Sequence, residues 1–269
     1  RRVEVSGAPL EQALAGLDLA RRDREAGGKM SFLEHLEEFR KRLVKSLIAV
    51  GVGMAIAFLF IGRIYEFVMV PLARMLPEGG HLIYTEPAEA FLLNLKIALL
   101  AGVIIAAPAV MFQVWRFVAP GLYANEKRFA IPFILLTTIG FVAGAAFSHY
   151  VVFRVMWRYF ASFQTDYMLM TPKVSSVFGL YTRMALAMGA IFQMPTVVFF
   201  LARMGMVTAR WLLRHFKYAV LANFVIAAVI TPSGDPMSQA IIAVPMIALY
   251  ILSIGIAWVF AKRRSPEGA

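Results

Sequence analysis

Phe112-Gln113-Val114-Trp115-Arg116-Phe117-Val118-Ala119-Pro120-Gly121-Leu122-Tyr123-Ala124-Asn125-Glu126-Lys127-Arg128-Phe129 separates two long apolar runs. Aromatics, a helix-breaking Pro-Gly pair, one carboxylate and three cations share this stretch, where a membrane chain turns around. A turn that only reversed direction could be polar and plain. Trp115, Phe117 and Tyr123 beside the single acid Glu126 make a surface suited to holding something.

The composition around that turn sets the class. Of 269 residues 60% are hydrophobic, and the mean hydropathy is +0.71. A soluble domain of this length is not that apolar, so the chain reads as an all-α integral membrane protein. It is long enough for several spans of about 20 residues each. There is no cysteine, hence no disulfide, thiol nucleophile or thiolate metal site. His35, His81, His149 and His215 lie in different segments, and none has a helical partner at metal-ligand spacing. No cofactor is expected. The net charge of +11 comes from cations beside apolar runs, the pattern of a topology signal and not of a nucleic-acid stripe.

Residues 1–29 are a polar extension without the apolar centre of a secretory signal, and are expected to be disordered. Residues 30–264 form the membrane domain, with 265–269 as a tail. Ser31 and Glu34 make a capping box that opens an amphipathic helix over 31–42. Phe32, Leu36, Phe39 and Leu43 share one stripe of it, and Glu34, Glu37, Glu38 and Lys41 the opposite side. It runs straight into a first span, 43–61. Further spans are expected over 91–115, 129–150, 174–202, 218–230 and 240–260, making six.

The segment after the first span keeps a helical face, bent by Pro71 and ended by Pro77-Glu78-Gly79-Gly80. Gly140 and Gly144 give the third span a small-residue face for helix packing. After it, Trp157 and Tyr159 are expected to anchor at the interface. The same belt is the plain reading of Trp115 and Tyr123. The fourth span carries Arg183, Gln193 and Pro195, and polar groups at depth face protein or a wet cavity. Lys96 and Arg183 are expected to snorkel or to pair with Glu86 or Glu89. The fifth run is short for a span.

Lys and Arg set the orientation. Eighteen cations, among them Arg40, Lys41, Arg116, Lys127, Arg210 and Lys262, fall on one side, against only Arg63, Arg74, Arg154, Arg158 and Lys173 on the other. The positive-inside rule then makes both termini cytoplasmic, together with the Glu126 turn and the helix bearing Glu38.

His35-Leu36-Glu37-Glu38-Phe39-Arg40-Lys41-Arg42-Leu43 resembles the N-terminal signature of TatC, the large subunit of the twin-arginine protein translocase. Gln113 to Tyr123, followed by Glu126-Lys127-Arg128, resembles that family's first cytoplasmic loop. Pro71-Leu72, Phe192-Gln193-Met194-Pro195, Thr231-Pro232, Asp235 and Gln239 extend the similarity from Met30 to about Phe260. The resemblance implies a concave, cup-like bundle of six helices in the bacterial cytoplasmic (inner) membrane. It also implies partnership with TatA- and TatB-type single-span proteins, self-association in a receptor complex, and transport driven by the proton-motive force. The implied ligand is the twin-arginine signal peptide of a folded precursor. Glu38 and Glu126 would face its arginines, with Phe117, Arg40 and Leu122 shaping the site. Pro71 and Asp235 would serve the outer face.

The chemistry suits that ligand, because guanidinium meets carboxylate through a two-bonded fork that Lys cannot reproduce. A plainer role for Glu126 is pairing with Lys127 or Arg128 at a helix start. The sequence departs from the family at Gln193, where many members carry Glu. Gln keeps the hydrogen bonding but cannot titrate. A proton-coupled small-solute transporter is the alternative function class, yet the halves show no repeat and Gln193 is a poor proton carrier. An intramembrane enzyme would need a Ser/His pair, paired aspartates or a His-Glu zinc motif, and none is present.

Overall fold

A computed structural model describes residues 32–74, 76, 81–118, 130–165, 167–168, 170–231 and 233–260. Among them there is no strand, only an isolated parallel bridge between Ile83 and Lys173 and one between Thr165 and Met168. The helices in chain order are α1 (Phe32–Leu59), α2 (Ile61–Ala73), α3 (Glu89–Val118), α4 (Ala130–Phe147), a π-helical turn (Ser148–Val152), α5 (Phe153–Ala161), α6 (Val174–Ile191), α7 (Met194–Arg203), α8 (Ala209–Arg214), α9 (Phe216–Ile230) and α10 (Pro236–Phe260). Five helical stretches among the described residues are long and apolar enough to cross a membrane: 34–59, 89–117, 131–161, 174–203 and 236–260. A sixth, α9, is apolar but has only 15 residues. The chain is an all-helical membrane protein.

The chain divides into two compact units, residues 1–45 and 46–269. The described part of the first is the opening of α1. In the second, Leu72 of α2, Ile97 of α3, Phe153 and Met156 of α5, Met184 of α6 and Met246 of α10 are buried together. Close helix approach is made by glycine. A Cβ on Gly53 would stand 2.5 Å from the Gly102 carbonyl oxygen, so α1 and α3 can touch only because both positions lack a side chain.

Three expectations change. The helix after the third apolar run does not stop near Tyr150; it passes through the π turn and continues to Ala161. The one extra residue of a π turn resets the helical register without Pro or Gly to announce it. Trp157 therefore does not anchor at an interface. It points inward with Phe153 and Met156, is 3% exposed, and stacks on Phe153 at 5.8 Å. Trp115 also packs inside, 6% exposed, against Phe133 at 4.8 Å and Phe200 at 6.0 Å.

The fourth apolar run is broken where the sequence places Pro195. Pro195 has no N–H for the Ile191 carbonyl, and its ring crowds that carbonyl. The chain tightens there, with the Gln193 N–H reaching Ala190 O at 3.0 Å in a three-residue step, before α7 resumes.

Candidate functional site

The first polar centre is on α1. Glu37 and Lys41 pair at 2.7 Å with both side chains mostly in solvent. One residue on, the same spacing gives a different environment. Arg42 Nη2 donates to Glu38 Oε1 at 2.8 Å, and the two side chains are only 16% and 18% exposed. A covered carboxylate is thus already holding a guanidinium through one of its oxygens. Glu38 Oε2 makes no hydrogen bond among the described residues. Arg40, two residues away, is exposed. Phe117, half-buried, lies in the last turn of α3, one residue past Arg116, whose guanidinium sits 5.7 Å from the centre of the Phe112 ring. Leu122, Tyr123 and Glu126 lie outside the described residues.

The second centre is the break between α6 and α7. The tightened step frees the Gly189 carbonyl from the Gln193 backbone N–H, and the Gln193 side chain takes its place: Nε2 donates to Gly189 O at 3.2 Å. The same Nε2 donates across to Thr137 O of α4 at 3.0 Å. Gly140 leaves the room, since a Cβ there would come within 3.2 Å of Phe192 O and 3.5 Å of Gln193 Nε2. Gln193 Oε1 is closed off from solvent and accepts no hydrogen bond. Gln193 is therefore a brace between two helices, with an enclosed acceptor left unpartnered.

Two further centres cluster at helix starts. Glu89 opens α3 and its side chain is 7% exposed. It accepts the Thr85 N–H at 3.0 Å and, 86 positions along the chain, the Ser175 N–H at 3.1 Å, so it caps α6 from another helix. Lys173 Nζ stands 3.8 Å from Glu89 and 3.9 Å from Glu86. The expected pairing of these acids with Lys96 or Arg183 is replaced by Lys173, because the bridge at Ile83 sets Lys173 beside them. Asp235 caps α10. It accepts the Ser238 hydroxyl at 2.6 Å, the Ser238 N–H at 2.8 Å and the Tyr159 hydroxyl at 2.9 Å. The Ser238 hydroxyl and N–H, with smaller help from Ser233 and Tyr159, outweigh burial and hold its carboxyl well below the usual range. A depressed carboxyl stabilises the fold above the ordinary value of about 4 and loses that contribution only well below it. The cap is intact at any physiological pH. Pro71 lies in the last turn of α2, beside Leu72, which is 1% exposed.

Residues 34–245 match the family model described as Sec-independent protein translocase protein (TatC). The chain belongs to the TatC family. It is 41% identical over 239 residues to the Sec-independent protein translocase protein TatC of Desulforapulum autotrophicum, covering 89% of this chain and 88% of that one. It is 40% identical over 258 residues to the TatC of Koribacter versatilis, covering 93% and 95%. The crystal structure described as the twin arginine translocase receptor TatC has a TM-score of 0.74 at 35% identity, over 83% of this chain and 98% of that one. The resemblance read from the signature residues therefore holds. The protein is a multi-pass TatC-family translocase subunit and not an enzyme.

The trans cap by Glu89 and the Tyr159–Asp235 bond were not read from the sequence as contacts. A carboxylate at a helix start signals a local cap, and nothing local names a helix tens of residues away. Replacing Gln193 with Ala is expected to weaken transport of a precursor more than its initial binding. Equal loss of both, measured by transport and crosslinking on the same membranes, would sink a role after recognition.

Proposed function

We propose that this subunit is the receptor for twin-arginine signal peptides of folded precursors. It lies in the bacterial cytoplasmic membrane with six spans, both termini cytoplasmic, and α9 as the short fifth span. The observation that carries this reading is Glu38: a covered carboxylate that holds one guanidinium and keeps a second oxygen open. Glu38 and Glu126 take the two arginines, with Phe117, Arg40 and Leu122 around them. Exposed ion pairs contribute about 0.2–1 kcal/mol, so the apolar stretch of the peptide must supply the rest by burial. Gln193 then offers the inserted peptide a polar contact at depth. TatA- and TatB-type single-span proteins join the occupied receptor, further copies of this chain assemble with it, and the proton-motive force drives passage.

Photo-crosslinkers placed at Phe117 and Glu126 test the reading. They are expected to capture a precursor with an intact Arg-Arg signal and not one with Lys-Lys in its place. Equal capture of the two precursors would overturn it.

A further inference from the structure

From Arg203 to Tyr218, between the end of α7 and the start of α9, the chain has no acidic residue and carries Arg210, Arg214 and Lys217. This connection is built, not loose. Ala209 and Leu212 of α8 are buried against Val198 and Ala202 of α7 and Ala257 of α10. Tyr250 Oη donates to Leu212 O at 2.9 Å, and Thr208 Oγ1 accepts the Trp211 N–H at 3.2 Å. With that face fixed inward, Arg210 and Arg214, four apart, fall one turn from each other on the outer side. Both are exposed, and neither makes an ion pair among the described residues.

Trp211 stands beside them, 52% exposed. Its ring lies 4.3 Å from that of His215, whose Nδ1 is 2.8 Å from Trp211 O. Lys217 Nζ sits 5.1 Å from the centre of the Tyr218 ring, which is itself 59% exposed. Leu213 and Met206 expose 59% and 67% of their surfaces in the same segment.

A topology signal needs only charge. This segment adds ordered aromatic rings at the level where two apolar helices end, which is the headgroup level of a bilayer. Guanidinium pairs suit a phosphate diester, and amphipathic rings suit the boundary beneath it. We propose that Arg210, Arg214 and Lys217, with Trp211 beside them, seat the phosphate headgroup of an anionic phospholipid of the surrounding leaflet. Charge complementarity favours this occupant, and the exposed Leu213 and Met206 favour lipid over a free anion.

The test uses the full chain in phosphatidylcholine vesicles holding the same fraction of either brominated phosphatidylglycerol or brominated phosphatidylcholine. The difference between the parent and Trp211→Phe isolates the Trp211 emission. Phosphatidylglycerol is expected to quench Trp211 more strongly, and Arg210→Gln or Arg214→Gln should each lower the local enrichment by about fivefold. Arg63→Gln or Arg74→Gln, each of which removes the same single charge elsewhere, should leave the preference intact. Arg210→Lys with Arg214→Lys keeps the charge that insertion needs and should retain most of it. Equal quenching by the two lipids, unchanged preference in the Gln variants, or abolition of the preference by inorganic phosphate would overturn the proposal.

Discussion

Gly144→Ala is expected to lower the melting temperature of the detergent-solubilised protein by about 3–10 °C, from an overpacking cost of about 1–3 kcal/mol. A Cβ at Gly144 would stand 2.4 Å from Met188 O, 2.8 Å from Met188 C and 2.9 Å from Gly189 Cα. All three are backbone atoms, and no rotamer change moves them. α4 and α6 must separate, which also pulls Thr137 O from Gln193 Nε2. Gly189→Ala faces the same helix pair but meets the Phe141 ring, at 2.8 Å. A ring can swing aside, so its loss should be smaller. Gly179→Ala meets nothing within 4 Å, and the gain in helix propensity should leave it neutral or slightly more stable. If Gly144→Ala melts with Gly179→Ala, the crossing is not as tight as drawn.

The small-residue face of Gly140 and Gly144 was legible because spacing of four on an apolar helix has one common meaning. So was the break at Pro195, a matter of one missing N–H. The run-on of the third helix through Ser148–Val152 was not, since a π turn leaves no residue-type mark. That single unread element displaced Trp157 and Tyr159 from the surface to the interior and to Asp235. The Glu89 contacts with Thr85 and Ser175 were hidden for a different reason. An acid four residues from one partner and 86 from the other looks from the sequence like an ordinary first-turn charge. At α1 the position reverses: the Glu38–Arg42 spacing is the standard local pair, yet its neighbour Glu37–Lys41 shares that spacing and stays in solvent. Only burial separates the two, and burial is what the sequence cannot show.

That burial makes Glu38 the residue whose loss should cost the most in recognition. Close charge pairs within an interface couple by about 1.5 kcal/mol or more, which is at least tenfold in affinity. Glu38→Gln is therefore expected to weaken binding of an Arg-Arg signal peptide about tenfold or more while hardly changing the weaker binding of its Lys-Lys counterpart. The two substitutions form a cycle with one partner on each molecule, and equal loss for both peptides would mean that Glu38 does not read the arginines. Arg42→Gln sharpens the result. Arg42 occupies Glu38 Oε1 at 2.8 Å, so an incoming guanidinium either displaces it or uses Oε2 beside it. Displacement makes Arg42 a competitor, and its removal should tighten the Arg-Arg peptide. Sharing makes Arg42 a positioner that holds the carboxylate in line, and its removal should weaken that peptide while sparing Lys-Lys. The partial cover over both side chains favours sharing, because swinging Arg42 out would leave its stem without the packing it now has.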